Sequence, residues 1–146
     1  MVTRWRISRK RRGIFVGVRF CRPGVPGGMY ALYVVVTILV ALANGYAASL
    51  DFVGAESVKL VADRVQVSRR WMMPLGVLLA SGAAGLLAGF AVPALGTAAA
   101  IGLIAYFICA VSAHLRVGDR GIAPAVFFLL LAASALATNL ADHKHW

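Results

Sequence analysis

Four long apolar stretches of this chain contain no charged residue. They cover residues 29–50, 74–92, 95–113 and 122–141. All fifteen Lys and Arg, all five Asp and Glu and all three His lie outside them. A helix needs about 20 apolar residues to cross the roughly 30 Å hydrocarbon core of a bilayer. The chain is therefore predicted to be an integral membrane protein with four spans.

The spans are predicted to be helices, because each is apolar on every face. A β-barrel strand would alternate apolar and polar residues, and a lipid-exposed segment can satisfy its backbone only as a helix or in a closed barrel. The pieces between the spans are too short to bury a soluble core. The expected fold is all-α, a polytopic four-helix transmembrane bundle over residues 29–141. Cys21 and Cys109 are far apart and predict neither a disulfide framework nor a thioredoxin-like site.

Residues 1–28 form a basic N-terminal arm. Eight of the fifteen basic residues lie in the first 22 positions, with no acidic residue among them, in a chain of net charge +10. A Pro- and Gly-rich run, residues 23–28, is typical of a linker. We expect a disordered tail that sets the orientation of the protein. A clamp on anionic lipid, with Trp5, Ile14 and Phe15 inserted beside the arginines, stays open as an alternative, and a nucleic-acid patch on the same charges is less favoured.

Both termini are predicted on the cytoplasmic side of a bacterial inner membrane. An even number of spans places the two termini on one side. With the arm included, that side carries nine basic residues and the other side six, and Lys and Arg accumulate in cytoplasmic loops. The Arg-, Ala- and Gly-rich composition is typical of a GC-rich bacterial genome. Translation from Met29 would leave one basic residue against six and invert the prediction, so that alternative stays open.

The loop between the first two spans, residues 51–73, is predicted to contain an amphipathic interfacial helix. Its apolar residues recur at helical spacing, while its charged residues fall mostly on the other side. The apolar set is Val58, Val61, Ala62, Val65 and Met72. We expect this helix to end at Arg69, Arg70 and Trp71, which would anchor it at the membrane interface.

Small residues recur at every fourth position along the second span, at Ser81, Gly85 and Gly89. Such spacing lets helix backbones approach closely in lipid. We expect this face to pack inside the bundle, and a homodimer interface is the alternative. A two-residue turn, Pro93 and Ala94, is predicted to join the second and third spans as antiparallel neighbours.

The candidate functional residues are Asn44, Tyr106, His114 and Arg116. Tyr106 and His114 fall on one helical stripe of the third span. A histidine can donate or accept a hydrogen bond near neutral pH, and beside an arginine at the interface it suits a quinone carbonyl or a lipid headgroup. The alternatives are that His114 and Arg116 end the helix in headgroup water, and that Asn44 makes a structural hydrogen bond inside the bundle.

No catalytic residue, cofactor or metal site is predicted, and we do not expect an enzyme. The sequence contains no phosphate loop, haem motif, Ser/His/Asp arrangement or paired catalytic carboxylate. His143 and His145 lie in the C-terminal tail, residues 142–146. Too few other ligands are near them in the sequence to predict a metal site.

Several of these features together resemble the DoxX-like family of small bacterial membrane proteins. The resemblance rests on the four short spans, the amphipathic helix after the first, the Gly-rich second span, and the stretch AVSAHLR at residues 110–116 leading to Asp119. It covers residues 29–140. The family is named after a subunit associated with a terminal quinol oxidase, and it supplies no agreed catalytic residues.

The resemblance implies an accessory or scaffold subunit in the membrane, attached to a redox complex. The alternative is a quinone- or lipid-binding protein with a direct redox or transport role. The expected partners are the lipid bilayer and either a membrane redox complex or a second copy of the chain.

Overall fold

The computed structural model describes residues 27–143. Within that range the chain forms five α-helices and one turn of 3₁₀-helix. In chain order these are α1 (Gly27–Phe52), α2 (Glu56–Arg64), the 3₁₀ turn (Arg69–Trp71), α3 (Met72–Ala88), α4 (Pro93–Arg116) and α5 (Ala123–His143). Nearly all of the predicted basic arm and the last three residues of the predicted tail lie outside the described residues.

Helices α1, α3, α4 and α5 are each long and apolar enough to cross a membrane. No strand occurs among residues 27–143. The prediction of an all-α bundle of four membrane-spanning helices is therefore confirmed. The shorter α2 lies between the first and second of these helices, in the loop where the amphipathic helix was expected.

The four spanning helices pack as a closed ring. Each contacts the span that follows it in the chain, and α5 returns to contact α1. Successive membrane spans run in opposite directions, so the carboxyl ends of α1 and α4 lie at the same end of the bundle, where Asp51 and His114 line one cavity. The core inside the ring is apolar and almost fully buried, and includes Val40, Leu79, Leu103, Phe107 and Ala132.

Glycines let α3 and α4 approach closely near their connection. A Cβ added at Gly89 would lie 2.6 Å from the Cα of Gly96, and one added at Gly85 would lie 2.7 Å from the Cβ of Ala99. Any larger side chain at these two positions would push the helices apart. The prediction that small residues of the second span pack inside the bundle is confirmed at Gly85 and Gly89, whereas Ser81 is exposed.

The connection between α3 and α4 begins four residues earlier and ends two residues earlier than the sequence predicted. It consists of residues 89–92, and Pro93 and Ala94 already belong to α4. Proline suits the first helical position, because its fixed φ is helical and its missing N–H would have no partner there. Val92 precedes it in an extended conformation, as the residue before a proline prefers.

Helix α2 is shorter than the sequence predicted. It ends at Arg64 rather than at Trp71, because Gln66 adopts a left-handed backbone with φ of 57°. The Val67 N–H then donates to the Ala62 carbonyl at 2.9 Å, and the Gln66 N–H to the Asp63 carbonyl at 3.2 Å. These two bonds form a Schellman motif, which ends a helix by satisfying its last carbonyls. Glutamine gives no sequence signal for this conformation, since glycine is the residue that usually adopts it.

Candidate functional site

A cavity of about 390 Å³ lies between α1, α2, α3 and α4, at the end of the bundle where α1 and α4 finish. Its wall is mostly apolar. Helix α2 and the turn after it contribute Val58, Val61, Ala62, Val65 and Val67, and the start of α3 contributes Met72 and Leu75. The apolar face predicted for the interfacial helix therefore forms one side of this cavity.

Helix α4 supplies the opposite wall from a single stripe. Tyr106, Ala110, Ala113 and His114 all line the cavity. This is the stripe that the sequence placed together from the 3.6-residue period of the helix. The ring of Phe107 packs edge-on against the ring of Tyr106, with 5.0 Å between the two centroids.

His114 is buried and held by a carboxylate from the next loop. Only 8 % of its surface is exposed, and its Nδ1 lies 2.7 Å from Oδ2 of Asp119. The other oxygen of Asp119 accepts the Gly121 N–H at 3.1 Å. A histidine whose Nδ1 is engaged in this way has its Nε2 left for another partner, and its ring orientation is fixed.

The Asp119 carboxylate is stabilised in its charged form. The Gly121 N–H, the His114 ring and, more weakly, the Arg64 guanidinium hold the pKa of Asp119 below its ordinary value. A carboxyl with a lowered pKa in the folded state stabilises the fold above its ordinary pKa, and that contribution is lost as the pH falls through the lowered value. At neutral pH the carboxylate therefore holds the His114 ring in place.

Asp51 is the polar residue of the cavity that sequence reasoning missed. It lies in the last turn of α1, is only 8 % exposed, and lines the cavity. Its carboxylate makes no hydrogen bond or ion pair with another residue of the described range 27–143. A carboxylate at the carboxyl end of a helix also faces the negative end of the helix dipole. The signal for it was its position, since Asp51 is the first charged residue after the first span.

Asn44 and Arg116 lie away from the cavity. Asn44 is fully buried in α1, where its Nδ2 donates to the Val40 carbonyl at 2.8 Å and its Oδ1 has no hydrogen-bond partner. The Arg116 guanidinium lies 3.4 Å from the Val65 carbonyl, just after α2. Of the four candidate residues, the structure therefore brings Tyr106 and His114 together at the cavity, while Arg116 contacts the segment that covers it.

The three predicted anchor residues have different surroundings. Trp71 lines the cavity and is half-exposed. Arg69 forms an exposed ion pair with Asp63 at 2.6 Å, so it joins the turn before α3 to α2. Arg70 is exposed. Their role at a membrane interface stays a prediction.

A groove on the outer side of α3 and α4 continues from the cavity. It has a volume of about 510 Å³, and Leu75, Tyr106 and Cys109 line both the groove and the cavity. Beyond them the groove is lined mainly by small residues: Ser81, Gly82, Ala98, Ala99, Gly102 and Ala105.

The opposite end of the bundle is filled by a polar cluster. The Thr97 hydroxyl lies 2.9 Å from Oδ1 of Asn139, and Nδ2 of Asn139 lies 3.5 Å from the Tyr33 hydroxyl. These three side chains connect α4, α5 and α1. Among the described residues, no group of three or more His, Cys, Asp or Glu is close enough together to hold a metal ion at either end.

The model of the DoxX-like family matches residues 35–136. That range contains the cavity, the groove and the loop that carries Asp119, residues 117–122. No curated protein and no solved structure matched the chain.

Proposed function

The chain belongs to the DoxX-like family of membrane proteins, and on that premise we propose that it binds a membrane-soluble amphiphile, a quinone or a lipid, in the cavity between α1, α2, α3 and α4. The observation that carries the proposal is that three polar side chains, those of Asp51, Tyr106 and His114, line a mostly apolar cavity. Ligand sites typically have volumes of about 300–1,000 Å³ and combine an apolar wall with a few placed polar groups.

His114 is the residue best suited to hold the head of the ligand. Asp119 engages Nδ1 at 2.7 Å and fixes the ring, so Nε2 can hydrogen-bond a carbonyl or hydroxyl. Tyr106 lies two helical turns deeper, which is about 12 Å along α4. Arg116 is a positioning residue in this arrangement, because its contact with the Val65 carbonyl holds the end of α2 beside the cavity. Asn44 does not line the cavity, so this proposal assigns it no contact with the ligand.

Mass spectrometry of the native particle after gentle detergent extraction tests this proposal. We expect an amphiphile to co-purify with the wild type and to be lost from His114→Ala. Ser112→Ala is the matched control, since Ser112 lies on the same turn of α4 but is exposed and outside the cavity. Unchanged ligand content in His114→Ala, with the protein inserted and abundant, would reject the proposal.

An accessory or scaffold role in a larger membrane complex, including a redox complex, is the second candidate. The short connections of the described range support it, because residues 53–55, 65–68, 89–92 and 117–122 leave no room there for a soluble active site of their own. The same native spectrum tests this role. A stoichiometric partner protein is the expected result, and recovery only as a monomer or homodimer would count against it.

We also propose a bacterial inner membrane location with both termini in the cytoplasm. The excess of basic residues on the side of the arm supports this orientation. Reporter fusions at residue 146 and within residues 51–73 check it, and an exported carboxyl terminus would overturn it.

A further inference from the structure

We propose that the ligand of the cavity is a cationic amphiphile, with an ammonium group paired to Asp51 and a single hydrocarbon chain lying in the groove between α3 and α4. This inference rests on the proposed function, because it names the class of amphiphile that the same cavity binds.

The unpaired negative charge of Asp51 in the cavity supports a cationic head group. Asp51 is 8 % exposed, and no Lys or Arg of the described residues lines the cavity with it. Three basic side chains at this end of the bundle have other partners, since Arg116 contacts the Val65 carbonyl, Arg69 pairs with Asp63 and Lys59 pairs with Glu56. A buried carboxylate without a partner is costly. A cation brought by the ligand would supply the missing partner in a charge-assisted hydrogen bond or ion pair.

The aromatic residues of the cavity point to the same class of ligand. Trp71 and Tyr106 line the cavity together with Asp51. The faces of aromatic rings attract ammonium groups, most strongly where water is excluded. His114 does not neutralise this region, because its Nδ1 is engaged by a second carboxylate, that of Asp119.

Other head groups fit this cavity less well. A phosphate would bring a second negative charge beside Asp51. A quinone carbonyl would leave Asp51 either charged and unpaired or in need of a proton. An ammonium group removes the burial cost of the carboxylate directly, so the cavity favours it over both.

The groove supports the second part of the proposal, a single hydrocarbon chain. It shares Leu75, Tyr106 and Cys109 with the cavity, so the two form one continuous surface. Sixteen residues of α4 separate Ala98 at the far end of the groove from His114 in the cavity, which corresponds to about 24 Å at 1.5 Å per residue. That length exceeds half of the roughly 30 Å hydrocarbon core. A single extended chain that passes the midplane fits this surface better than the paired chains of a one-leaflet phospholipid.

The affinities of long-chain probes that differ in head-group charge test whether the cavity prefers a cationic ligand. The full chain in maltoside micelles is titrated with hexadecyltrimethylammonium, hexadecanol, hexadecyl phosphate and a short-tailed quinone, and binding is followed by native mass spectrometry. We expect the ammonium probe to bind at least tenfold more tightly than the others. Asp51→Asn keeps the shape of the side chain and removes its charge, so it should abolish that preference. Asp63→Asn is the matched control, because Asp63 is exposed and outside the cavity.

A comparison of ammonium probes with and without a long hydrocarbon chain tests whether that chain lies in the groove. A Cβ at Gly102 meets nothing within 4 Å, and Gly102 lines the groove, so the side chain of Gly102→Phe starts in open space and obstructs the groove. We expect it to weaken hexadecyltrimethylammonium binding at least tenfold and to leave tetramethylammonium binding unchanged. Gly45→Phe is the control, since Gly45 also has open space around its Cβ but lies in neither the groove nor the cavity.

The outcomes separate this inference from the proposed function. Tight binding of the quinone or of hexadecyl phosphate, unaffected by Asp51→Asn, would overturn the cationic ligand and leave the proposed function standing. A further outcome is that Gly102→Phe changes the oligomeric state while probes with long and short hydrocarbon chains bind equally well. That result would mean that a helix of another protein molecule occupies the groove, and it would overturn the placement of the hydrocarbon chain there. If no amphiphile binds at all, the proposed function fails as well. Should Asp51→Asn fail to fold, the ranking of the four probes on the wild type still decides whether the cavity prefers a cationic head group.

Discussion

At the end of the bundle where α4 begins, polar side chains from three helices contact one another, whereas at the end where α4 finishes the buried side chains of Asp51 and His114 line a cavity. Thr97, Asn139 and Tyr33 form a cluster that links three helices at the first end. At the second end, Asp51 and His114 are equally buried, but the space between the helices stays open at about 390 Å³.

The backbones show the same difference. Near the first end, Gly89 and Gly96 bring α3 and α4 so close that no side chain fits between them. At the second end, α2 and the turn after it lie over the cavity and contribute five residues to its wall. A polar group with a protein partner stabilises the bundle, while a buried carboxylate without one is a functional candidate by its cost alone. We therefore expect mutations at the first end to change stability, and mutations at the second end to change binding.

Gly96→Ala should have the largest effect on stability. Its Cβ would lie 2.9 Å from Nδ2 of Asn139 and 3.0 Å from the Cα of Gly89, and overpacking of this kind costs about 1–3 kcal/mol. Gly102→Ala, on the same helix, meets nothing within 4 Å and should gain up to about 1 kcal/mol from helix propensity. Detergent-induced unfolding followed by circular dichroism measures both. Equal stability of the two variants would contradict the close approach at Gly96.

The sequence predicted the architecture of this protein from one property, the exclusion of charge from four stretches. That property depends on composition alone, so it survives errors in the exact helix ends. The turn between α3 and α4 depends instead on how Pro93 is used, and both a turn and a first helical position accept proline. The early end of α2 depends on Gln66 in a left-handed conformation, which no pattern of apolar residues encodes.

The candidate site was predictable where it follows the period of a single helix. Tyr106 and His114 share the cavity because they share a stripe of α4. Asn44 and Arg116 are at or near the same end, but only tertiary packing decides that Asn44 turns into the core and that Arg116 reaches α2. Asp51 was overlooked because it is the first residue after the predicted span, yet the helix continues through it and buries its side chain.

Thr97→Val should have the smaller effect on stability, and it tests whether the polar cluster at the closed end is structural. Valine keeps the shape of threonine and removes the hydroxyl, which lies 2.9 Å from Asn139 Oδ1 and 3.2 Å from the Pro93 carbonyl. Hydrogen bonds between membrane helices contribute about 0.6 kcal/mol on average and at most about 1.7 kcal/mol, so the free energy of unfolding should fall by about that amount.

A double-mutant cycle with Asn139→Leu measures the coupling between Thr97 and Asn139. The measured coupling is a lower limit, because the single hydroxyl hydrogen of Thr97 can go to the Pro93 carbonyl once Asn139 is removed. Ligand content in the native mass spectrum should be unchanged in all three variants, since none of the altered residues lines the cavity. A coupling energy of zero would mean that the two side chains are merely adjacent. Loss of the ligand in Thr97→Val, with stability unchanged, would mean that the two ends of the bundle are not separate in function, because the closed end would then control the cavity across most of the length of α4.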